Sequence, residues 1–532
     1  MKRHRGWLAA AATVSILTLL AACSGSGSPP SASSQSQPAN AVFTYDTTAP
    51  VMVDGWDPAT EYSDGIIAMS EMYETLTRYD SATKTIRPLL ATSWSTSADG
   101  KTWTFHLRHG VYFHTGRLMT AQAAKAAIQR TIKLAGGASY VWGAVTSIDT
   151  PDQYTLVFHQ KYPSPLAQEA SADYSAYIYD TQAQGGGSKL TSWLNAGHDA
   201  GTGPYTAQTW NKGQELEVTL TKFGKYWGGW SGSHFTKVVF RVVPQDSTAA
   251  QLLRSGQVSF IEQISPSLWS SFKGDSGIKL IQAASWQNLL AQFNVKALTL
   301  PVRQAISYAI DYNGILAALR GAGVASSGLV PPGMFGHSSD LPVYSHDKAK
   351  AAALLSQAGY GPGKKALNLS LTYTQGDSNE QVVATIMKSD LAALNVNLSV
   401  QALAWPTQWA KGKSSDAAKR QDIFMEYWWP DYPDPYSWFQ GLLETEKPPY
   451  YNLSYYSNPS LDKQIDGIEQ LVATNQGAAT QAYRNMQVTV LQQAPLVPVY
   501  NDNYQYAMLS GISGLKVDPA YPNVVFVHDL TP

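Results

Sequence analysis

Leu367-Asn368-Leu369-Ser370-Leu371-Thr372-Tyr373, a helical run over 378–394, and Val396-Asn397-Leu398-Ser399-Val400-Gln401 follow one another with short connections. Strand, helix and strand at those lengths define a parallel crossover unit, so this region is α/β. Ser378 with Gln381 has the spacing of a capping box at the helix start. Upstream, Pro301 opens a helix whose apolar positions Val302, Ile306, Ala309, Ile310, Leu316 and Leu319 fall at helical spacing up to Gly321. A further helix is expected over 347–358, stopped by Gly359. Two more cover roughly 460–488, and 495–500 reads as a late strand.

Toward the N-terminus the pattern changes. Val42-Phe43-Thr44-Tyr45 is strand-like, and a helix is expected over 64–78 from Ile67, Met72, Tyr73 and Leu76. Residues 80–198 read as a small lobe of their own. In it Trp103-Thr104-Phe105-His106-Leu107-Arg108 and Tyr154-Thr155-Leu156-Val157-Phe158-His159 alternate as half-buried strands, and Thr120 caps a helix between them. Beyond Gly201-Thr202-Gly203-Pro204-Tyr205, strands at 216–220 and 238–243 flank a Tyr226-Trp227-Gly228-Gly229 turn. A helix over 247–255 ends at Gly256.

With 532 residues the chain is long for one core, and two or three domains are expected. A net charge of -1 and the lack of a basic run give no electrostatic case for nucleic acid. The first residues form a targeting segment: Lys2, Arg3, His4 and Arg5 precede an apolar run that ends in Leu20-Ala21-Ala22-Cys23. Small residues before a cysteine resemble a bacterial lipobox, so 1–23 is expected to be a lipoprotein signal with Cys23 as the lipidated residue. Acyl chains contribute about 0.8 kcal/mol per buried CH₂, enough for stable anchoring by two or more. Residues 24–40, rich in Ser, Gly, Pro and Gln, are expected from composition to act as a flexible tether. Cys23 is the sole cysteine, so the mature body has no disulfide and depends on a large core.

Phe424-Met425-Glu426-Tyr427-Trp428-Trp429-Pro430-Asp431-Tyr432-Pro433-Asp434-Pro435 concentrates rings and carboxylates where no helix can form past Trp429. A strand over 423–429 running into a proline-stiffened turn would hold Asp431 and Asp434 in fixed directions. Such a site suits a ligand with a ring or apolar surface and a cationic or hydroxyl-bearing end. Other motifs carry less. Ser81-Ala82-Thr83-Lys84 has the Ser-x-x-Lys spacing of a nucleophile pair but sits between Asp80 and Pro88, which reads as a turn. His106 and His109 point to opposite faces of a strand, which defeats shared metal ligation. Gly201-Thr202-Gly203 lacks the following helix of a phosphate cradle. Asp431 and Asp434 as a glycosidase pair is the enzyme alternative, although such pairs usually come from different elements.

The order of landmarks resembles the extracytoplasmic solute-binding proteins of family 5 in ATP-driven importers, the oligopeptide, dipeptide and nickel-type binders. The matching residues are Asp57-Pro58, Tyr73-Glu74-Thr75-Leu76-Thr77-Arg78-Tyr79-Asp80, Leu90-Ala91-Thr92-Ser93-Trp94, Asp99-Gly100-Lys101-Thr102-Trp103-Thr104-Phe105-His106-Leu107-Arg108, Phe113-His114-Thr115-Gly116, Gly203-Pro204-Tyr205, Tyr226-Trp227-Gly228-Gly229, Arg303-Gln304-Ala305-Ile306-Ser307-Tyr308-Ala309-Ile310-Asp311, Pro331-Pro332-Gly333 and Asp431-Tyr432-Pro433-Asp434-Pro435. The resemblance implies a two-lobed periplasmic-binding-protein-like α/β fold of the class II, cluster C type, with an extra α+β domain inserted in lobe one. Lobe one would be 41–79, 199–285 and 500–532, the extra domain 80–198, and lobe two 286–499. Binding is then hinge closure, and the loaded form is recognised by a membrane permease.

The resemblance further implies that Asp431 pairs with a peptide's α-ammonium and that backbone groups of Tyr427, Trp428 and Trp429 bond the ligand as an added strand. Glu61, Tyr62 and Ser63 would face the ligand from lobe one, with Trp286 and Trp405 as further walls. Oligopeptide is the expected ligand, with an oligosaccharide or other ring-bearing solute as the alternative. The protein is expected to be a non-enzymatic monomer, lipid-anchored at the outer face of the cell membrane or else periplasmic, without cofactor or metal. Three positions depart from the family pattern. Met425 and Glu426 stand where peptide binders often carry an arginine, Ala123 and Ala124 where an acid is usual, and Ser259 replaces another acid.

Overall fold

The computed structural model describes residues 41–47, 55–211 and 217–532. The signal 1–23 with Cys23, and the tether 24–40, lie outside the described residues. The crossover unit sits at one end of a long mixed sheet. Leu367–Thr374 and Val396–Leu403 pair in parallel with helix Ser378–Ala392 between them, and Ile423–Trp428 adds in parallel on the other side of Leu367–Thr374. Ile423–Trp428 is therefore an interior strand, which explains why Ile423, Phe424 and Met425 are buried although they point to alternate faces. It stops before Pro430, which has no N–H for a ladder.

Its other neighbour is Ile278–Phe293, antiparallel from Asn288 opposite Trp428 to Phe293 opposite Ile423. Ile278–Phe293 pairs in turn with Leu496–Leu509 along nearly its whole length, with register shifts between Ala284 and Asn288 and between Leu289 and Leu290. Beyond Leu496–Leu509 the sheet continues through Phe260–Ile261, Val42–Thr47, Lys237–Val242, Glu217–Lys222 and Tyr205–Asn211. Val42–Thr47 is parallel to both its neighbours. A separate antiparallel sheet, Ala91–Thr96, Thr102–Leu107, Thr155–Gln160 and Val145–Asp152, packs on helix Ala121–Leu134, whose N-cap Thr120 accepts from Ala123 N. Ser81 to Lys84 is the turn of the hairpin joining Thr77–Asp80 to Thr85–Pro88.

Three apolar clusters fill the body. One surrounds the crossover unit, with Leu289, Ile306, Leu371, Met387 and Tyr500. A small one lies under Ala249, Leu253 and Leu268. The largest runs from Phe43 through Phe105 and Trp142 to Trp438 and Tyr483, so apolar packing ties the antiparallel sheet to the strands Val42–Thr47, Glu217–Lys222 and Lys237–Val242 of the long one. Among the described residues no helix is long and apolar enough to cross a membrane.

Several elements differ from the sequence expectation. The helix expected over 64–78 covers only Ile66–Met72. Tyr73 is extended, Glu74 bridges Ile178, and the Glu74 carboxylate accepts from Thr202, Tyr226 and Trp227. Leu76 is buried at a bend just before strand Thr77–Asp80, not on a helical face. The helix from Pro301 to Gly321 is two, Leu300–Ala309 and Tyr312–Leu319, because Asp311 caps the second through Gly314 N at 2.9 Å. The cap of Ser378–Ala392 is Asp377, not Ser378, and Glu380 turns back to accept from Thr374 N at 2.6 Å in place of a Ser378–Gln381 box. The late strand extends to Leu509, since both its edges are paired. Gly201 and Gly203 are required by close approach: a β-carbon on Gly201 would overlap the Met72 carbonyl oxygen.

Candidate ligand-binding site

Tyr427 and Trp428 end the interior strand, and Trp429 and Asp431 continue from it along the wall of a cavity of about 1440 Å³ including its mouth. The same wall carries Asp377 and Glu380 from the start of helix Ser378–Ala392, and Trp405 and Trp409 from helix Trp405–Gly412. Facing them are Tyr62, Ser63 and Asp64, with Pro522 and Asn523 beside them. Gln287, in the stretch where the long strand shifts register, also lines the cavity.

The 57–64 segment is held from behind. The backbone carbonyl of Asp57 accepts from Thr60 N and Glu61 N, both at 3.0 Å, closing the turn. Its carboxylate is buried and accepts from both guanidinium nitrogens of Arg130 and from Thr191 at 2.9 Å. Glu61 points back into this loop, where it accepts from Ser63 N at 2.8 Å and from the Ser63 hydroxyl. Tyr62 is thereby presented to the opposite wall, with its ring 5.9 Å from Trp409 and 5.8 Å from Tyr451. Trp405 lies 5.5 Å from Trp409, and Tyr451 5.3 Å from Trp428, so the rings form a continuous apolar panel.

Asp431 is half-buried on the cavity wall and accepts from the Tyr140 hydroxyl. Burial pushes its carboxyl up to about 7, against the lowering effect of that hydrogen bond. Tyr140 belongs to the short helix Ser139–Trp142 and sits edge-on to Tyr436 at 5.7 Å. The turn is braced by Gln168, whose amide donates to Pro433 O at 2.6 Å. Asp434 lies elsewhere. It is 1% exposed and accepts from the Tyr483 hydroxyl and from Tyr436 N at 2.9 Å. Burial pushes it to about 6 while those bonds pull it down. Asp434 is thus a core carboxyl that shapes the turn, and the carboxylate-pair hydrolase reading loses its second member.

Of the residues singled out in the sequence, Tyr62, Ser63, Trp405, Tyr427, Trp428, Trp429 and Asp431 meet at one cavity. Glu61 and Trp286 are not among its lining residues. Glu61 braces the loop, and Trp286 is 5% exposed, its ring packed 5.6 Å from Tyr79 and its backbone N–H donating to Pro519 O. Sequence reasoning missed Asp64, Asp377, Glu380, Trp409 and Tyr451, and read Glu426 only as a departure from a pattern. Trp409 had a signal, since it follows Trp405 by one helical turn and shares its face. Asp377 had the signal of an N-cap one residue earlier than the one chosen.

Among the described residues that line the cavity there is no His, Lys, Arg or Cys, and no three His, Cys, Asp or Glu side chains of the described chain are placed to hold one metal ion. The cavity is walled by rings and carboxylates, the kind of lining that holds a small molecule. The class is a binding protein. The family model for bacterial extracellular solute-binding proteins, family 5 (middle) matches residues 85–449, and the chain belongs to that family, whose members are solute-binding proteins and not enzymes. It is 26% identical to a probable D,D-dipeptide-binding periplasmic protein, DdpA, of Escherichia coli K12, over 86% of this chain and 88% of the relative. A dipeptide-binding protein of the same organism is 25% identical over 84% of this chain and 87% of its own. Among solved structures, the periplasmic binding protein DppA of Helicobacter pylori in complex with the peptide STSA superposes with a TM-score of 0.80 at 22% identity. That match covers 92% of this chain and 98% of the other.

Proposed function

We propose that this protein is the solute-capturing subunit of an ATP-driven importer, closing on an oligopeptide and passing it to a membrane permease. The observation that carries this reading is the placement of Asp431. A carboxylate stands just past the end of an interior strand, on the wall of the cavity, beside Tyr427, Trp428 and Trp429. An extended ligand laid along 427–429 would gain backbone hydrogen bonds and bring its amino terminus to Asp431. The names of the dipeptide-binding relatives support the same reading.

In this reading lobe one is 41–79, 199–285 and 500–532, the extra domain 80–198, and lobe two 286–499. The register shift between Ala284 and Asn288 falls beside the boundary at 285 and supports a hinge there. Cys23 carries the lipid that keeps a monomeric body at the outer face of the membrane. An oligosaccharide or other ring-bearing solute is the second reading, favoured by the panel of Tyr62, Trp405, Trp409 and Tyr451. Calorimetry of the purified protein with di- to pentapeptides and with oligosaccharides tests both. Peptide binding that depends on a free amino terminus supports the first, and saccharide binding alone refutes it. Labelling with a fatty acid analogue that is lost on Cys23→Ser tests the anchor.

A further inference from the structure

The charge inventory of the cavity is one-sided. Asp64, Asp377, Glu380, Glu426 and Asp431 line it, and no cationic side chain does among the described residues. Lys413 stands behind the wall, with its ammonium 4.2 Å from the centre of the Tyr450 ring. The acids form two groups. Asp431 is held apart by Tyr140. The other four come from three parts of the chain, with Asp377 and Glu380 sharing one helix start, yet act on one another: Asp377 raises Asp64 and Glu380, and Glu426 raises Glu380, in addition to the burial that dominates each. The N-terminus of helix Ser378–Ala392 would favour an anion, but Asp377 already occupies it as the cap.

Two neutral groups point the same way. Gln287 is 2% exposed and its side-chain oxygen has no hydrogen-bond partner, although it lines the cavity. The side-chain oxygen of Asn379, beside Asp377, is likewise buried and unpartnered. Both are acceptors that a donor-rich ligand would satisfy. Glu426, which lines the cavity, accepts from the Gln292 amide through one carboxylate oxygen. The faces of Tyr62, Trp409 and Tyr451 attract cations as well.

We propose that this cavity selects solutes carrying two cationic nitrogens, one taken by Asp431 and the other by the acids around Asp377 and Glu426, with no carboxylate enclosed. In peptide terms the ligand has a free amino terminus and a basic side chain, and its carboxyl end projects from the mouth. The solute class rests on the oligopeptide reading; the charge rule does not.

The test is a titration of the purified protein with Lys-Lys-Lys, its C-terminal amide, Ala-Ala-Ala, Glu-Glu-Glu and spermidine at about 0.15 M salt. Lys-Lys-Lys is expected to bind about 100-fold more tightly than Ala-Ala-Ala, its amide no more weakly, and Glu-Glu-Glu not at all. Asp377→Asn and Glu426→Gln, which keep shape and the helix cap, should each narrow the Lys-to-Ala ratio by about tenfold. If either variant fails to fold, the wild-type panel alone decides. Equal affinity for Ala-Ala-Ala and Lys-Lys-Lys, or tight binding of Glu-Glu-Glu, overturns the charge rule and leaves the oligopeptide reading intact. Binding of spermidine without any peptide does the reverse. Silence from every probe overturns both.

Discussion

Asp431→Asn removes one charge at a position where the side chain's shape and its bond to Tyr140 can both persist. A carboxylate and an ammonium about 4 Å apart attract by roughly 4 kcal/mol at an effective dielectric of about 20, before desolvation. After desolvation, a hydrogen bond to a charged group nets about 1.5–3 kcal/mol. The expected loss of affinity for a peptide with a free amino terminus is therefore about 10- to 150-fold. Burial holds the empty site's carboxyl at about 7, and a bound ammonium favours its ionised form, so binding releases a proton below that pH. The affinity then rises as pH increases through about 7. It falls again above about 8, where a peptide's amino terminus loses its own charge. The groups that feel Asp431 are Tyr140, Tyr174 and Tyr451, all raised by burial and neutral throughout this range. Calorimetry at pH 7.5 measures the loss, and a pH series with an N-acetylated control isolates the ammonium. An Asn variant that binds as tightly as wild type, with the acid limb of the profile unchanged, would refute the ammonium role of Asp431.

Three further perturbations probe the supports of the site. Tyr140→Phe removes the bond that lowers Asp431, so the acid limb of the binding profile should move to higher pH and affinity at pH 7 should fall severalfold, read by the same titration. Arg130→Met strands the Asp57 carboxylate, which is 2% exposed, and should cost about 3–5 kcal/mol of stability in urea unfolding, as expected for a broken buried pair. An unchanged urea midpoint would show that the 57–64 segment does not depend on that pair. Gly201→Ala drives a methyl into the Met72 carbonyl and should cost about 3 kcal/mol or more, seen as a lowered melting temperature; a silent substitution would mean the turn can open freely.

The parts of this molecule that could be read from the chain are those whose causes are local. The crossover at 367–403 follows from strand and helix patterns within one stretch, and the strand before Pro430 ends because proline has no donor. The hairpin turn at Ser81–Lys84 was readable for the same reason. What escaped depends on distant partners. Tyr73 and Leu76 lie at helical spacing, yet the chain there is not helical because Glu74 is claimed by Thr202, Tyr226 and Trp227. Trp286 and Trp405 are alike in sequence terms. One is packed on Tyr79 and the other lines the cavity, a difference set wholly by tertiary neighbours. The acidity of the cavity escaped because Asp64, Asp377 and Glu426 are far apart in the chain and converge only in space.

Ile278–Phe293 and Leu496–Leu509 belong to the crossover end of the long sheet and to the opposite end alike. Neither end could be cut out as a free-standing piece, because each would be left with two severed ribbons whose raw edges invite pairing with other chains. Gene fusions or circular permutants that open the chain within 278–293 or 496–509 should therefore fail to give soluble protein. Permutation at the exposed Ser81–Lys84 hairpin turn breaks neither ribbon and should be tolerated.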